Sequence, residues 1–144
     1  VPVDLRRVGD GMQIGFPPHA GFAPGESTAN RALEKALVEL ADTMQYYPLM
    51  VVVEGHTDDA FVPSPRYPDA DALSIARARS AADVLARQGG FDPSLIMLEA
   101  HADRRPRDPE ASSPRERTVN RRVEVRIVSM SKDRIAAAEL GGGR

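Results

Sequence analysis

The sequence predicts a mixed α/β (α+β) fold. The expected form is a two-layer sandwich with a four-stranded sheet in β-α-β-α-β-β order and both helices on one face. A short, β-branched apolar run from Met50 to Glu54, closed by Gly55, reads as a buried strand. A stretch of helical periodicity lies on each side of that run. Helices between strands imply crossovers and a partly parallel sheet. Towards the C-terminus, alternating apolar and charged residues mark a last strand, which a loop can bring back antiparallel to the one before it.

Val1 to Phe16 reads as the first strand, with an irregular start. Val3, Leu5, Val8, Met12, Ile14 and Phe16 supply its apolar positions, and Gly9-Asp10-Gly11 forms a tight turn between two short extended pieces. Pro17, Pro18 and Pro24 keep the next stretch, to Gly25, irregular. Ser27 to Tyr47 is an amphipathic helix. Leu33, Ala36, Leu37, Leu40, Ala41, Met44 and Tyr47 fall on one arc, and Glu34, Lys35, Glu39, Asp42 and Gln45 fall outside it. Ser27 or Thr28 is its expected cap and Pro48 its stop.

The central strand follows. Gly55 is expected to let the backbone turn where that strand ends. His56, Thr57, Asp58 and Asp59 then stand at its carboxyl end, where open α/β sheets bind ligands. A long loop to Asp71, stiffened by Pro63, Pro65 and Pro68, comes next; such loops are often functional. The second helix opens at Asp71 or Ser74 and runs to Gln88, where Gly89-Gly90 ends it. Leu95 to His101, continued by Ala102-Asp103, is the third strand. Asn120 to Val128 is the fourth, with Arg121, Val123, Val125 and Ile127 on one face and Arg122, Glu124, Arg126 and Val128 on the other. Ser131 to Leu140 reads as a short helix and residues 141–144 as a frayed end. Residues 1–130 therefore form the domain and 131–144 a tail.

Two arginines stand against expectation. On the second helix Leu73, Ile75, Ala78, Ala81, Ala82, Val84 and Leu85 fill the buried-facing arc, and Arg77 falls inside it. A guanidinium there needs an anionic or hydrogen-bonding partner, and Asp58 or a ligand carboxylate is the expected one. Arg121 likewise shares a face with apolar residues on the last strand.

The 144 residues, 28% of them charged, suit one domain with an ordinary core. The net charge of -2 gives no electrostatic case for nucleic acid. The basic C-terminal third is interleaved with acidic residues and has no aromatics for base stacking, so a nucleic-acid partner is not expected. Cysteine is absent, which rules out disulfides and thiolate chemistry and suits an extracytoplasmic compartment. No apolar run approaches the roughly 20 residues of a membrane span. A start at Val1 reads as a piece of a longer protein whose targeting and anchoring segments lie elsewhere.

Three motifs in order resemble the OmpA-like peptidoglycan-binding domains: GHTD at Gly55–Asp58, LSxxRA at Leu73–Ala78 and RxxNRRVE at Arg117–Glu124. The loop from Asp59 to Pro63, with Tyr67-Pro68, looks most like the MotB branch, the periplasmic part of the flagellar stator. The resemblance implies a noncatalytic periplasmic domain, without a cofactor, that binds peptidoglycan and anchors a membrane protein to the cell wall. It implies that Asp58 binds the amine and Arg77 the carboxylate of a diaminopimelate-type stem peptide. Thr57, Asp59, Leu73 and Arg121 then complete the ligand site. It also implies a homodimer and a membrane anchor outside this stretch. Two positions depart from the family pattern: Ala70 stands where an Asn is usual, and Ala100-His101-Ala102 replaces a GxG.

Two alternatives stay open. One is the same fold used as a scaffold or protein-interaction module with weakened wall binding, which Ala70 favours. The other is a metal-dependent hydrolase built on His56, Asp58, His101 and Asp103, two HxD pairs at strand ends.

Overall fold

A computed structural model describes residues 3–9 and 11–129. The expected helical tail at 131–144, and Asp10 of the first turn, lie outside the described residues. The elements run β1 (Asp4–Val8), β2 (Gly11–Gly15), α1 (Arg31–Met44), β3 (Leu49–His56), α2 (Ala70–Asp83), β4 (Ile96–Ala102) and β5 (Val123–Ser129). The sheet has five strands in the order β1-β2-β5-β3-β4, one more than expected. The extra strand comes from the N-terminal segment. Its two extended pieces pair antiparallel as a hairpin, with Asp4 opposite Gly15 and Gly9 in the left-handed region at φ 58°.

β4 pairs with β3 in parallel and β5 pairs with β3 antiparallel, so the last two strands flank β3 on opposite sides and do not touch as neighbours. The long connection after β4 carries the chain past the end of β3. β5 thereby slots between β3 and the hairpin, pairing Ile14 with Val125.

The helices cover one face. Leu33, Ala36, Leu37, Ala41 and Met44 of α1 join Ala78 and Ala81 of α2 over Ile14, Val51, Val53, Val123 and Val125 in one core. The cap of α1 is Asn30, not Ser27 or Thr28. Its side chain accepts from Leu33 N (3.0 Å) and Gly21 N (3.2 Å) and donates to the His19 carbonyl (2.8 Å), tying the preceding loop to the helix start. α1 ends at Met44, one turn short of the expected Tyr47, and leaves Tyr46 and Tyr47 exposed.

Asp69 caps α2 in place of the expected Asp71 or Ser74, accepting from Ala72 N at 2.7 Å. α2 continues as a π-helical turn from Val84 to Gln88, and Gly90 ends it at φ 75°. Ile75, placed on the buried arc, is exposed, whereas Ser74 is fully buried. The reason lies at Gly55. A Cβ there would sit 1.8 Å from the Ser74 carbonyl oxygen, so α2 rests directly on the backbone of β3. Gly55 is needed for that close approach; the strand does not turn there but runs on to His56.

Candidate functional site

β3 delivers Thr57 and Asp58 to the edge of a cleft of about 390 Å³ at its carboxyl end. α2 contributes Leu73 and Arg77, the segment after the long connection contributes Arg117 and Arg121, and the loops add Pro24, Gly25, Ala60, Phe61, Val62 and Pro114. Five of the six residues expected at the site, Thr57, Asp58, Leu73, Arg77 and Arg121, thus meet around one space. Asp59 does not. It points outward and holds Arg117, whose Nε donates to Asp59 Oδ1 at 2.8 Å.

Arg77 is buried, as the helix arc requires, but Asp58 is not its hydrogen-bond partner. Its Nε donates to the Glu26 carbonyl (2.8 Å), Nη1 to that of His56 (3.0 Å) and Nη2 to that of Ala23 (3.2 Å), and its guanidinium lies over the Phe22 ring at 5.1 Å. Those bonds fasten the loop before α1 to the end of β3. They use three of five N–H donors, which leaves two for a ligand. Burial lowers the Arg77 pKa to about 10, and the nearby Asp58 charge opposes that shift. The group therefore stays cationic at neutral pH.

The partner of Asp58 is Arg121. Arg121 Nη1 donates to Asp58 Oδ2 at 2.9 Å, while Asp58 Oδ1 accepts from Ala60 N at 3.0 Å in an Asx turn. Arg121 also donates from Nε to the Phe22 carbonyl (3.1 Å) and from Nη2 to Thr118 Oγ1 (3.1 Å). Each Asp58 oxygen keeps a further lone pair. Thr57 Oγ1 is buried without a partner. With three arginines against one carboxylate, the lining favours a ligand that brings an anion and has one place for a cation.

Ala70 opens α2 and is not among the residues lining the cleft, so its departure leaves these charges in place. Ala102 is the one non-glycine residue at positive φ (50°) among the described residues, and its carbonyl receives Thr57 N at 2.8 Å. This is the position where the family pattern places the second Gly of GxG.

The metal group of the hydrolase alternative does not assemble among the described residues. Asp58 is engaged by Arg121 and Asp103 is exposed. The His56 and His101 rings stack with centroids 5.0 Å apart. His56 is held neutral, its pKa lowered to about 3 by burial first and then by the Arg122 charge. Among the described residues the only group close enough to share an ion is Glu54, Glu99 and His101. There Arg126 pairs with both carboxylates, and His101 Nε2 lies 2.9 Å from Glu99 Oε1.

The sequence profile of the OmpA family matches residues 21–121, well over half of the chain. The chain belongs to the OmpA family. The matched stretch begins at Gly21, in the loop that Arg77 and Arg121 fasten, and ends at Arg121 itself. Among solved structures, the cell wall anchor of the T6SS from Pseudomonas aeruginosa is similar, with a TM-score of 0.74 at 28% identity over 89% of this chain and 88% of that one. The periplasmic domain of Helicobacter pylori MotB shares the fold, with a TM-score of 0.78 at 20% identity over 96% of this chain and 89% of that one. The Bacillus subtilis protein YtxE is 29% identical over 111 residues; the match spans 77% of this chain and 45% of YtxE, under half of that relative's length.

Sequence reasoning missed Arg117 and Val62 as cleft residues. Arg117 lies in the RxxNRRVE motif, which was the available signal. No helix among the described residues is long and apolar enough to cross a membrane.

Proposed function

We propose that this OmpA-family domain binds peptidoglycan without catalysis, as a periplasmic wall anchor for a larger protein. The ligand is the zwitterionic end of a diaminopimelate-type stem peptide. Asp58 receives its ammonium group and Arg77 its carboxylate. Arg121 holds Asp58 in position, Thr57 Oγ1 offers a further hydrogen bond, Leu73 supplies apolar contact, and Asp59 keeps Arg117 at the rim. A homodimer and a membrane anchor outside these residues belong to the same reading.

One observation carries it: a buried carboxylate and a buried guanidinium, both with unused hydrogen-bonding capacity, line one cleft without bonding to each other. A zwitterion brings a carboxylate to Arg77, whose hydrogen-bond partners are all carbonyls, and an ammonium to the remaining lone pairs of Asp58, and charge-assisted bonds of this kind are the strong ones. The likeness to a cell wall anchor supports the same ligand class.

Co-sedimentation with purified sacculi tests the reading. Wild type is expected in the pellet, and folded Asp58→Ala and Arg77→Ala variants in the supernatant. Wild type remaining in the supernatant overturns the proposal.

A further inference from the structure

The sheet face turned away from the helices holds a second pocket of about 390 Å³ that shares no lining residue with the cleft. Its charge is unbalanced. Arg6, Arg105, Arg107, Arg122 and Arg126 line it against Asp4, Glu54 and Glu124, five cations to three anions. The two buried carboxylates each already accept from more than one donor. Gln13 Nε2 bridges Glu54 (2.7 Å) and Glu124 (2.9 Å), Arg6 and Arg122 both donate to Glu124, and Arg126 donates to Glu54.

Donors without acceptors remain. Arg122 Nη1 is buried without a partner, and so are both ring nitrogens of His56, of which the neutral ring offers one as a donor. Arg105 is engaged only through its carbonyl, which accepts from Arg122 Nη2 at 3.0 Å, and its guanidinium has no partner among the described residues. Arg107 uses Nη1 on the Phe16 carbonyl at 2.9 Å and keeps its other N–H groups. Buried donors are normally satisfied, so a cluster of unsatisfied ones beside an excess of positive charge calls for an acceptor.

We propose that this pocket is a second ligand site that takes a phosphate-class oxyanion, with Arg105, Arg107 and Arg122 as its donors. Glu99, outside the lining, offsets one of these cations through Arg126, and the positive excess that remains favours an anion; a phosphate, which carries about −1.5 to −2 near neutral pH, presents acceptor oxygens in several directions. A carboxylate presents its two acceptor oxygens in one plane. Donors on three separate arginines suit a tetrahedral anion, whose oxygens point in several directions. The domain thereby carries two independent sites on opposite sides of its sheet.

The test is an amide NMR titration of the whole chain with inorganic phosphate, glycerol phosphate and acetate, each against chloride at matched ionic strength. Saturable shifts at His56, Arg105 and Arg122 with phosphate, and weaker ones with acetate, support the site. If glycerol phosphate also saturates them, the site accepts a phosphomonoester; if only inorganic phosphate does, it is a site for the free ion. Arg105→Gln, at an exposed side chain, is expected to weaken phosphate binding about tenfold and to leave sacculus co-sedimentation unchanged, which separates this site from the cleft. Equal shifts with chloride, acetate as effective as phosphate, or unaltered binding by Arg105→Gln overturns the proposal.

Discussion

Arg121 and Asp58 form a buried ion pair at 2.9 Å, and through it the segment before the last strand holds the carboxylate that follows the central one. Removing one member of such a pair leaves a buried charge, which costs about 3–5 kcal/mol. Because Arg121 also bonds Phe22 and Thr118, Asp58→Ala is expected at the low end, about 3 kcal/mol. Chemical denaturation checks this. An Asp58→Ala, Arg121→Met double variant should lose less than the sum of the single losses, since the two act as one unit.

Gly55→Ala is expected to cost at least about 3 kcal/mol, or to prevent folding, because its Cβ meets backbone and not a movable side chain. The contact is the Ser74 carbonyl at 1.8 Å. Denaturant midpoints for this variant, against Ala60→Gly as an exposed control, decide it.

Ala102→Gly should behave unlike an ordinary core Ala→Gly change. Its φ of 50° strains a non-glycine residue, and relief of about 1–2 kcal/mol offsets the lost methyl and the added freedom of the unfolded chain. Stability within about 0.5 kcal/mol of wild type is expected, whereas Ala81→Gly in the buried helix should lose about 1 kcal/mol or more. Thermal melts of the two variants side by side give the comparison.

Acid should destabilise the domain through His56. Its folded pKa of about 3 lies below the unfolded value of 6.5, so between those values the unfolded chain binds more protons. The stability from keeping the imidazole neutral is present above pH 6.5 and lost as pH falls towards 3. About 2 kcal/mol should disappear between pH 7 and pH 5. Glu124, whose carboxyl Arg122 holds below its usual range against the opposing effect of burial, adds a loss of the same sign at lower pH. Denaturation at the two pH values, repeated with His56→Phe, should show the slope shrinking in the variant.

Much of this fold was legible because its signals are local. The arc of α1, the apolar run of β3 and the alternation of β5 each survive in the structure. The burial of Arg77 was legible from helix geometry, but its partners were not. They are the carbonyls of Ala23, Glu26 and His56, and backbone atoms leave no residue-type signal. The hairpin turn at Gly9 was visible, yet the two pieces read as one strand because only the pairing partner, β5, makes them separate members of the sheet. The outer-face network was hidden for the same reason. Arg122, Glu124 and Arg126 alternate like a solvated face, and only the insertion of β5 beside β3 sets Glu124 opposite Glu54 and buries both.

The most direct measurement is a calorimetric titration of the domain with a stem peptide bearing diaminopimelate and with the same peptide bearing lysine. The lysine peptide keeps the amine for Asp58 and lacks the carboxylate for Arg77. A cleft that reads both charges should bind the diaminopimelate peptide at least about tenfold more tightly. Equal affinity for the two peptides, or no binding of either, contradicts it.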